Sequence, residues 1–259
     1  MGVSRRDFLK LAGAAGAAGM AGKGVLELLF PGQVEAAEYA PQPKALHGKR
    51  WAITIDTKKL VENPGIMKKC AEVCHKVHNV PHVSREEIEI KWIWDDKFEH
   101  VFPTLEAQYE TLVDHNLLLM CNHCDNPPCC RVCPTQATFQ RWDGIVLMDF
   151  HRCIGCRFCM AACPYGARSF NFADPREFIK KPANPAFPTR TKGVVEKCNM
   201  CAERLAVGQI PACVEASAGA MAFGDIYDPT SDVRKNLKTR YSLRRKVSLG
   251  TRPHVFYLV

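Results

Sequence analysis

The sequence predicts a loop-rich α+β fold whose core is partly inorganic, and three observations lead to that prediction. The 259 residues include 14 cysteines, far above ordinary usage for a chain of this length. The 17 glycines and 17 prolines favour turns over long helices and strands. Eight of the cysteines form two matching groups between Cys121 and Cys163, and each group ends in Cys-Pro.

These two groups have the spacing of iron–sulfur ferredoxin motifs. The first group reads Cys-x2-Cys-x4-Cys-x3-Cys-Pro, and the second reads Cys-x2-Cys-x2-Cys-x3-Cys-Pro. In such motifs three close thiolates wrap one cluster, while the fourth ligates the neighbouring cluster. The spacing therefore predicts a [4Fe–4S] cluster A on Cys121, Cys124, Cys129 and Cys163, and a cluster B on Cys153, Cys156, Cys159 and Cys133. A disulfide framework or a zinc ribbon is the alternative, and two superimposable spacings argue against it.

A third group reads Cys198-x2-Cys201-x11-Cys213-x3-Ser217, with serine where the pattern requires a final cysteine. The same crossover rule assigns the first three cysteines to one cluster with a remote fourth ligand from the beginning of the chain. Cys74 fills that position. The sequence therefore predicts a cluster C on Cys198, Cys201, Cys213 and Cys74.

The first motif of the chain is degenerate. Leu60, Pro64 and Met67 stand where sulfur is expected, and their partner in a fourth cluster would be the position that Ser217 occupies. The three ligands from the first motif and the one from the last motif are therefore all missing for this cluster. We expect three [4Fe–4S] clusters, with the fourth, terminal cluster of the outer module lost.

Two cysteines are then spare, Cys70 and Cys130. Cys70 lies four residues before Cys74, so that one face of a helix could carry both, and spacing from Asp56 would alternatively make Cys70 the fourth ligand of cluster C. His75 and His123 flank ligands and could tune a cluster by hydrogen bonding, or could simply be packed or solvated.

The remaining elements follow from shorter patterns. Trp51 to Asp56 alternates apolar and polar residues as a strand does, and Asp143-Gly144 predicts a turn between residues 137–140 and a strand at 145–149. Residues 82–118, which carry Trp92, Trp94, Phe98, Phe102 and Tyr109, are predicted to be an aromatic insertion. Residues 173–196 are predicted to be a surface excursion, 234–246 a solvated basic tail lying on the fold, and 255–259 a last strand. The predicted division of the chain is a signal peptide (1–36), the first part of an outer module with the insertion (37–118), a central module (119–172), and the remainder of the outer module with a C-terminal extension (173–259).

The N-terminus predicts export. Ser4-Arg5-Arg6-Asp7-Phe8-Leu9-Lys10 precedes a weakly hydrophobic Ala/Gly stretch, the pattern of a twin-arginine signal. We expect cleavage after Ala36, although an uncleaved signal could serve as an anchor. This route carries folded proteins, which suits clusters built in the cytoplasm, and it predicts a location at the periplasmic or extracytoplasmic face of the membrane. No other segment has the roughly 18 apolar residues that a membrane helix needs.

The net charge of +8 raises the question of nucleic-acid binding. The lysines and arginines are dispersed, and the sequence has neither a recognition-helix pattern nor an RNA-binding aromatic motif, so we expect no nucleic-acid partner. A basic surface also suits acidic partners or anionic lipid headgroups.

Three stretches carry a family resemblance: residues 121–129, residues 152–168 and residues 197–201. In them the sequence resembles the four-cluster iron–sulfur subunits of membrane-associated respiratory complexes. The twin-arginine signal, the degenerate first motif and the aromatic insertion resemble most of all the DsrO-type subunits of DsrMKJOP complexes of sulfate- and sulfur-metabolising prokaryotes. The resemblance implies two bis-[4Fe–4S] ferredoxin-like modules related by a pseudo-two-fold. It also implies three kinds of partner: a quinone-reactive NrfD-type membrane subunit (DsrP-like), a multihaem cytochrome c (DsrJ-like) and further subunits of the membrane complex.

The predicted function is electron transfer through clusters whose ligands are all thiolates, with no catalytic site of its own. One alternative is a scaffold subunit whose clusters are structural. Another is the electron-transfer subunit of a periplasmic molybdopterin reductase or hydrogenase, which uses the same chemistry with a different terminal partner.

Overall fold

A four-stranded sheet forms the centre of the structure, a computed structural model that describes residues 42–103, 114–179 and 182–259. Strand β1 (Trp51–Asp56) pairs in parallel with β10 (Val255–Leu258) and antiparallel with β8 (Met221–Asp225), and β9 (Ser242–Leu243) extends the edge beyond β10. Ile53 lies opposite both Phe223 and Val255. The predicted first and last strands are confirmed.

Both faces of β1 are covered, because successive side chains of a strand point to opposite faces. Trp51, Ile53 and Ile55 face the main hydrophobic core, whereas Ala52 packs on the other side with Val233 and Phe256. All six residues of the strand are therefore buried.

The second face is covered by helix α8 (Asp232–Thr239), which overlaps the segment predicted to be a solvated tail. The segment lies on the fold, as predicted, but it forms a helix and strand β9 in place of a tail. The Ser231 hydroxyl accepts a hydrogen bond from the Arg234 amide at 3.2 Å and caps the helix, and Val233 is fully buried. A highly charged helix can pack on a sheet through a narrow apolar contact. Because so few of its residues are apolar, the sequence gives only a weak indication of this helix.

Two helices follow β1 directly. Helix α1 (Thr57–Glu62) begins after Asp56, whose carboxylate accepts a hydrogen bond from the Lys59 amide at 3.3 Å. Helix α2 (Gly65–His78) ends at Asn79 in the left-handed conformation, with φ 49°. It carries Cys70 and Cys74 on its buried face, as predicted, and packs on helix α7 (Ala212–Ala216).

The described part of the predicted insertion forms an antiparallel pair, β2 (Ile93–Lys97) with β3 (Asn116–Met120), together with the short helix α3 (Phe98–Val101). Trp92, Phe98 and Phe102 are buried, and the ring of Phe102 meets Tyr257 edge-on at 5.4 Å. Tyr109 lies outside the described residues. The aromatic side chains thus pack into the core beneath the sheet.

The central part of the chain is built from short elements. Strands β4 (Thr138–Gln140) and β5 (Val146–Met148) pair antiparallel across the predicted turn, and β6 (Ser169–Phe170) pairs with β7 (Val195–Glu196). Gly144 has φ +88°, and a Cβ there would lie 2.3 Å from Arg50 Nη1, so this turn requires glycine. The predicted hairpin is confirmed.

The remaining short elements are three α-helices and three 3₁₀ turns. The helices are α4 (Pro128–Arg131), α5 (Phe158–Ala161) and α6 (Ala202–Leu205). The 3₁₀ turns lie at Glu86–Ile88, Pro175–Glu177 and Val247–Leu249. Within the described ranges, every helix is too short or too polar to cross a bilayer.

Candidate functional site

The cysteines predicted for cluster A meet around one cavity, here called site A. Cys121 follows strand β3 directly, Cys129 lies in helix α4, and Cys124 and Cys163 complete the lining. His123, between the first two, has φ 40°, and this left-handed residue turns the chain back on itself. The chain thus brings four thiols together from two segments about 40 residues apart in sequence.

The four cysteines predicted for cluster B line a second cavity, site B. They are Cys133, Cys153, Cys156 and Cys159. The turn between the middle two requires Gly155, which has φ +71° and whose Cβ would lie 2.5 Å from the Gly193 carbonyl oxygen. Cys133, Cys153 and Cys156 are partly exposed. Ile154, in the loop between Cys153 and Cys156, is 67% exposed, and Phe158, at the start of helix α5, is 59% exposed. Site B is therefore the most accessible of the thiol sites.

The four cysteines predicted for cluster C form a buried group, site C, where helix α2 packs on helix α7. Cys74 comes from α2 and Cys213 from α7, while Cys198 and Cys201 come from the segment before α6. All four are buried. Burial raises the pKa of the Cys74 thiol well above 9.0, and the negative charges of Cys198, Cys213 and Cys201 raise it further.

These sites fit a group that binds thiolates. All 14 cysteines lie in the described residues and all are free thiols, which excludes a disulfide framework in this structure. Backbone amides also point at the sulfurs: the Thr138 amide donates to Cys133 Sγ at 3.4 Å, and the Met200 amide donates to Cys198 Sγ at 3.4 Å. Amide donors favour the thiolate form, which is the form that ligates metal.

The thiols of site A differ in the direction of their pKa shifts. Burial raises the pKa of Cys121, but the charges and hydrogen bonding of His123 and Lys197 outweigh it and hold that pKa well below 9.0. At Cys124, burial and the neighbouring Cys121 charge raise the pKa to about 12. Four thiolates packed this closely repel one another, so a cationic metal centre is what would stabilise them together.

The two spare cysteines have different environments. The thiol of Cys130 donates a hydrogen bond to the Cys129 sulfur, which lowers the pKa of Cys129 and raises that of Cys130. Cys70 is fully buried, and its Sγ lies 3.2 Å from the carbonyl oxygen of Cys213, to which it donates. Cys70 is thus engaged with the backbone beside site C.

The positions that lack sulfur are occupied by packed side chains. Leu60 and Met67 are buried, and together with Pro64 they line a surface groove that also contains Asp95 and Asn116. Ser217 is fully buried, and its hydroxyl donates to the Val214 carbonyl at 2.7 Å and accepts from the Met221 amide at 3.0 Å. Both hydrogen-bonding roles of this hydroxyl are taken by the backbone.

The structure also places several residues at the sites that the sequence analysis did not single out. Arg168 and Lys197 are buried beside the thiols, Arg168 in the lining of site A and Lys197 against the carbonyl oxygen of Cys198. Glu196 is fully buried, pairs with Arg190 at 2.7 Å and accepts from Trp92 Nε1 at 2.9 Å. Charged residues carry no local sequence pattern that marks them as buried, so only the structure reveals them.

Of the two histidines that flank proposed ligands, His123 is buried and His75 is half-buried. His123 Nδ1 accepts a hydrogen bond from the Val146 amide at 3.1 Å, which fixes the ring beside Cys121. Burial lowers the pKa of His75 and of His123. A third histidine, His78, contacts Glu203 at 2.7 Å, and these two with Cys201 could hold a metal ion on their own. Cys201 already belongs to the four-thiol group of site C.

Comparison with known proteins agrees with this geometry. The family of 4Fe–4S dicluster domains matches residues 116–181 and 177–226, a span that contains sites A and B and three cysteines of site C. The chain is also 41% identical to the Hdr-like menaquinol oxidoreductase iron-sulfur subunit 1 of Archaeoglobus fulgidus over 98% of this chain and 97% of the relative. The chain belongs to this family of iron–sulfur subunits.

Other members of the family match over most of their length. A tetrathionate reductase subunit of Salmonella typhimurium is 35% identical over all of this chain and 89% of its own length. The menaquinone reductase iron-sulfur cluster-binding subunit of Nitratidesulfovibrio vulgaris is 32% identical over 81% of this chain and 88% of its own. Residues 2–22 of the iron–sulfur subunit match the twin-arginine translocation signal family, so the chain is exported by that route, as predicted.

Proposed function

We propose that this iron–sulfur subunit carries three [4Fe–4S] clusters, at sites A, B and C, and conducts electrons between a quinone-reactive membrane subunit and a second redox partner. When bound, such clusters supply one-electron chemistry. The observation that carries the proposal is the convergence of twelve thiols into three groups of four, each drawn from two separate segments of the chain.

The contacts between sites support a continuous path. Sites A and B are adjacent, because helices α4 and α5 pack together and Arg168, which lines site A, contacts Met148 in the lining of site B. Sites A and C are adjacent, because the Lys197 ammonium group donates to the carbonyl oxygens of Val146 in the lining of site A and of Cys198 in site C. Site A therefore lies between the other two, and the order is B, A, C.

The position of the missing site agrees with this order. Leu60 lies in helix α1, and Met67 lies about two turns before Cys74 on helix α2, so we infer that the fourth site would have adjoined site C as the end of the path. Loss of an end leaves the remaining three sites connected. Ser217, with its hydroxyl engaged by the backbone, is not available to restore it.

The proposed partners follow the family. Relatives named for menaquinol oxidation and menaquinone reduction support a quinone-linked membrane subunit, which we propose to be of the NrfD type (DsrP-like). The other proposed partners are a multihaem cytochrome c (DsrJ-like) and further subunits of a DsrMKJOP-type complex. The exposed apolar side chains of Ile154 and Phe158 beside site B favour that end as the contact with one partner.

A second candidate has its own support. The tetrathionate reductase relative matches the whole of this chain, which favours a reductase partner in place of the cytochrome. Anaerobic purification from native membranes and identification of the co-purifying subunits separates the two, since one predicts a cytochrome c and the other a large catalytic subunit.

The test of the cluster assignment is iron and acid-labile sulfide per chain, with low-temperature EPR of the reduced protein. We expect about 12 iron atoms in the wild type, since three clusters hold four each. Cys74→Ser should lose the signals of one cluster, whereas the matched control Cys70→Ser should keep all three. A value of about 16 iron atoms would mean a fourth, unrecognised site, and clusters that stay oxidised at the potential of the quinone pool would favour the scaffold alternative.

A further inference from the structure

Two buried cations lie between neighbouring thiol sites. We propose that Arg168 and Lys197 raise the reduction potentials of the clusters on either side of them, Arg168 acting on sites A and B and Lys197 on sites A and C. This inference rests on the proposed function, because it assigns these two side chains a role toward the clusters that the thiols would hold.

Arg168 is 5% exposed and lines site A. Its Nη1 donates to Thr138 Oγ1 at 3.1 Å and lies 3.8 Å from Met148 Sδ, and Met148 lines site B. Its Nη2 is buried and has no nitrogen or oxygen partner among the described residues. The guanidinium therefore lies between the linings of sites A and B.

Lys197 is 2% exposed. Its Nζ donates to the carbonyl oxygen of Val146, which lines site A, and to that of Cys198, a member of site C, at 2.7 Å. The ammonium group therefore lies between sites A and C.

Neither cation is neutralised by an acid. In the part of the chain that the structure describes, no carboxylate pairs with Arg168 or Lys197, whereas the equally buried Arg190 pairs with Glu196 at 2.7 Å. An isolated buried charge is costly unless something nearby compensates it. The thiolate-ligated clusters are the compensating anions that these two positions would have.

The effect on reduction follows from Coulomb's law. Reduction adds one negative charge to a cluster, and a fixed cation in a poorly screened interior stabilises the reduced form more than the oxidised form. A cation placed between two clusters also offsets their mutual repulsion when both are reduced. Site A, which faces both cations, should be affected by either one.

The experiment is an EPR-monitored redox titration of the anaerobically purified, cluster-loaded protein. We expect Arg168→Gln to shift the midpoint potentials of clusters A and B to more negative values and leave C unchanged. Lys197→Gln should shift A and C and leave B unchanged. Arg168→Lys, which keeps the charge, should restore the potentials toward the wild-type values. Arg152→Gln is the control, because Arg152 is 64% exposed and its cation is paired with Asp149.

Iron and sulfide content, measured on each variant, separates this inference from the proposed function. A wild type without three clusters would contradict the proposed function. A full complement of iron with unchanged potentials in both glutamine variants would overturn the role of the cations alone. If a glutamine variant fails to assemble, Lys197→Met keeps the length of the apolar stem without the charge, and unshifted A and C signals in it would likewise overturn the inference.

Discussion

At position 217, a single atom, oxygen in place of sulfur, decides whether the side chain bonds to the backbone or can ligate a cluster. A cysteine there would complete the ferredoxin pattern, but the serine hydroxyl bridges the Val214 carbonyl and the Met221 amide and so ties the end of helix α7 to the start of strand β8. In this fold the position has a structural contact in place of a ligand.

Ser217→Ala should therefore lower the stability of the protein without changing its iron content. Loss of the two hydrogen bonds should reduce the free energy of unfolding by about 1 kcal/mol. Thermal unfolding and iron analysis, with exposed Ser248→Ala as the control, measure both effects. Loss of four iron atoms in Ser217→Ala would instead identify Ser217 as a cluster ligand.

Residue spacing was sufficient to predict which thiols come together, because cluster ligation demands sulfurs a few residues apart and Cys-Pro marks the crossover ligand. It could not reveal Arg168 or Lys197. Arginine and lysine are mostly exposed in proteins, and nothing beside them in the sequence indicates that these two are buried. Their positions depend on how segments far apart in sequence pack around site A.

The junction of strand β1 and helix α1 depends on the charge of a single carboxylate, that of Asp56. Asp56 caps helix α1, and its two carboxylate oxygens accept hydrogen bonds from Arg240 at 2.5 and 3.2 Å, which joins the first strand to the end of helix α8. Burial raises the pKa of Asp56, but the hydrogen bonds from Arg240 and Lys59 outweigh it, so this pKa lies below 3.8.

Asp56→Asn should destabilise this junction, since asparagine can still cap the helix but cannot pair with Arg240. Because the carboxyl has a lower pKa when folded, its stabilisation is complete above pH 3.8 and is lost as the pH falls through the folded-state pKa. The difference in melting temperature between wild type and variant should thus be constant from pH 5 to pH 8, with exposed Glu72→Gln showing no difference. A gap that changes within this range would refute the assignment.

Among the secondary-structure elements, the positions of strands were predicted better from the sequence than the strands they pair with or the helix that packs on them. The strand at Trp51–Asp56, the hairpin around Gly144 and the last strand were all foreseen from alternation and turn residues. The parallel pairing of β1 with β10 was not, because it joins segments about 200 residues apart. Helix α8 was missed because one buried residue, Val233, is enough to dock it.

Across the whole molecule the protein has two kinds of core. The four-stranded sheet rests on a large hydrophobic cluster that includes Ile53, Leu60 and Tyr257. Among the described residues, the core around β5 and helix α5 has four buried members, Val146, Val195, Cys129 and Cys159, and two of them are proposed ligands. The larger core also contains proposed ligands, but apolar side chains outnumber them, whereas thiols are half of the buried members of the smaller one.

Removal of the clusters by anaerobic chelation should therefore unfold one part before the other. Hydrogen exchange should become fast at β4 and β5 while β1 and β10 stay protected, because local stability follows the buried apolar contacts. Mass spectrometry of the loaded and stripped protein gives the comparison. Simultaneous loss of protection in both regions would show that the protein is a single cooperative unit.

The parallel partnership of β1 and β10 also orders events during synthesis. The ribosome makes β1 before any of the proposed ligands and β10 after all of them. While the last ligand is being translated, the sheet still lacks β8 and β10, the two strands that pair with β1, so the thiols emerge on an unfinished scaffold. The sheet therefore closes only after every proposed ligand has been made, which delays the folded, exportable form until then.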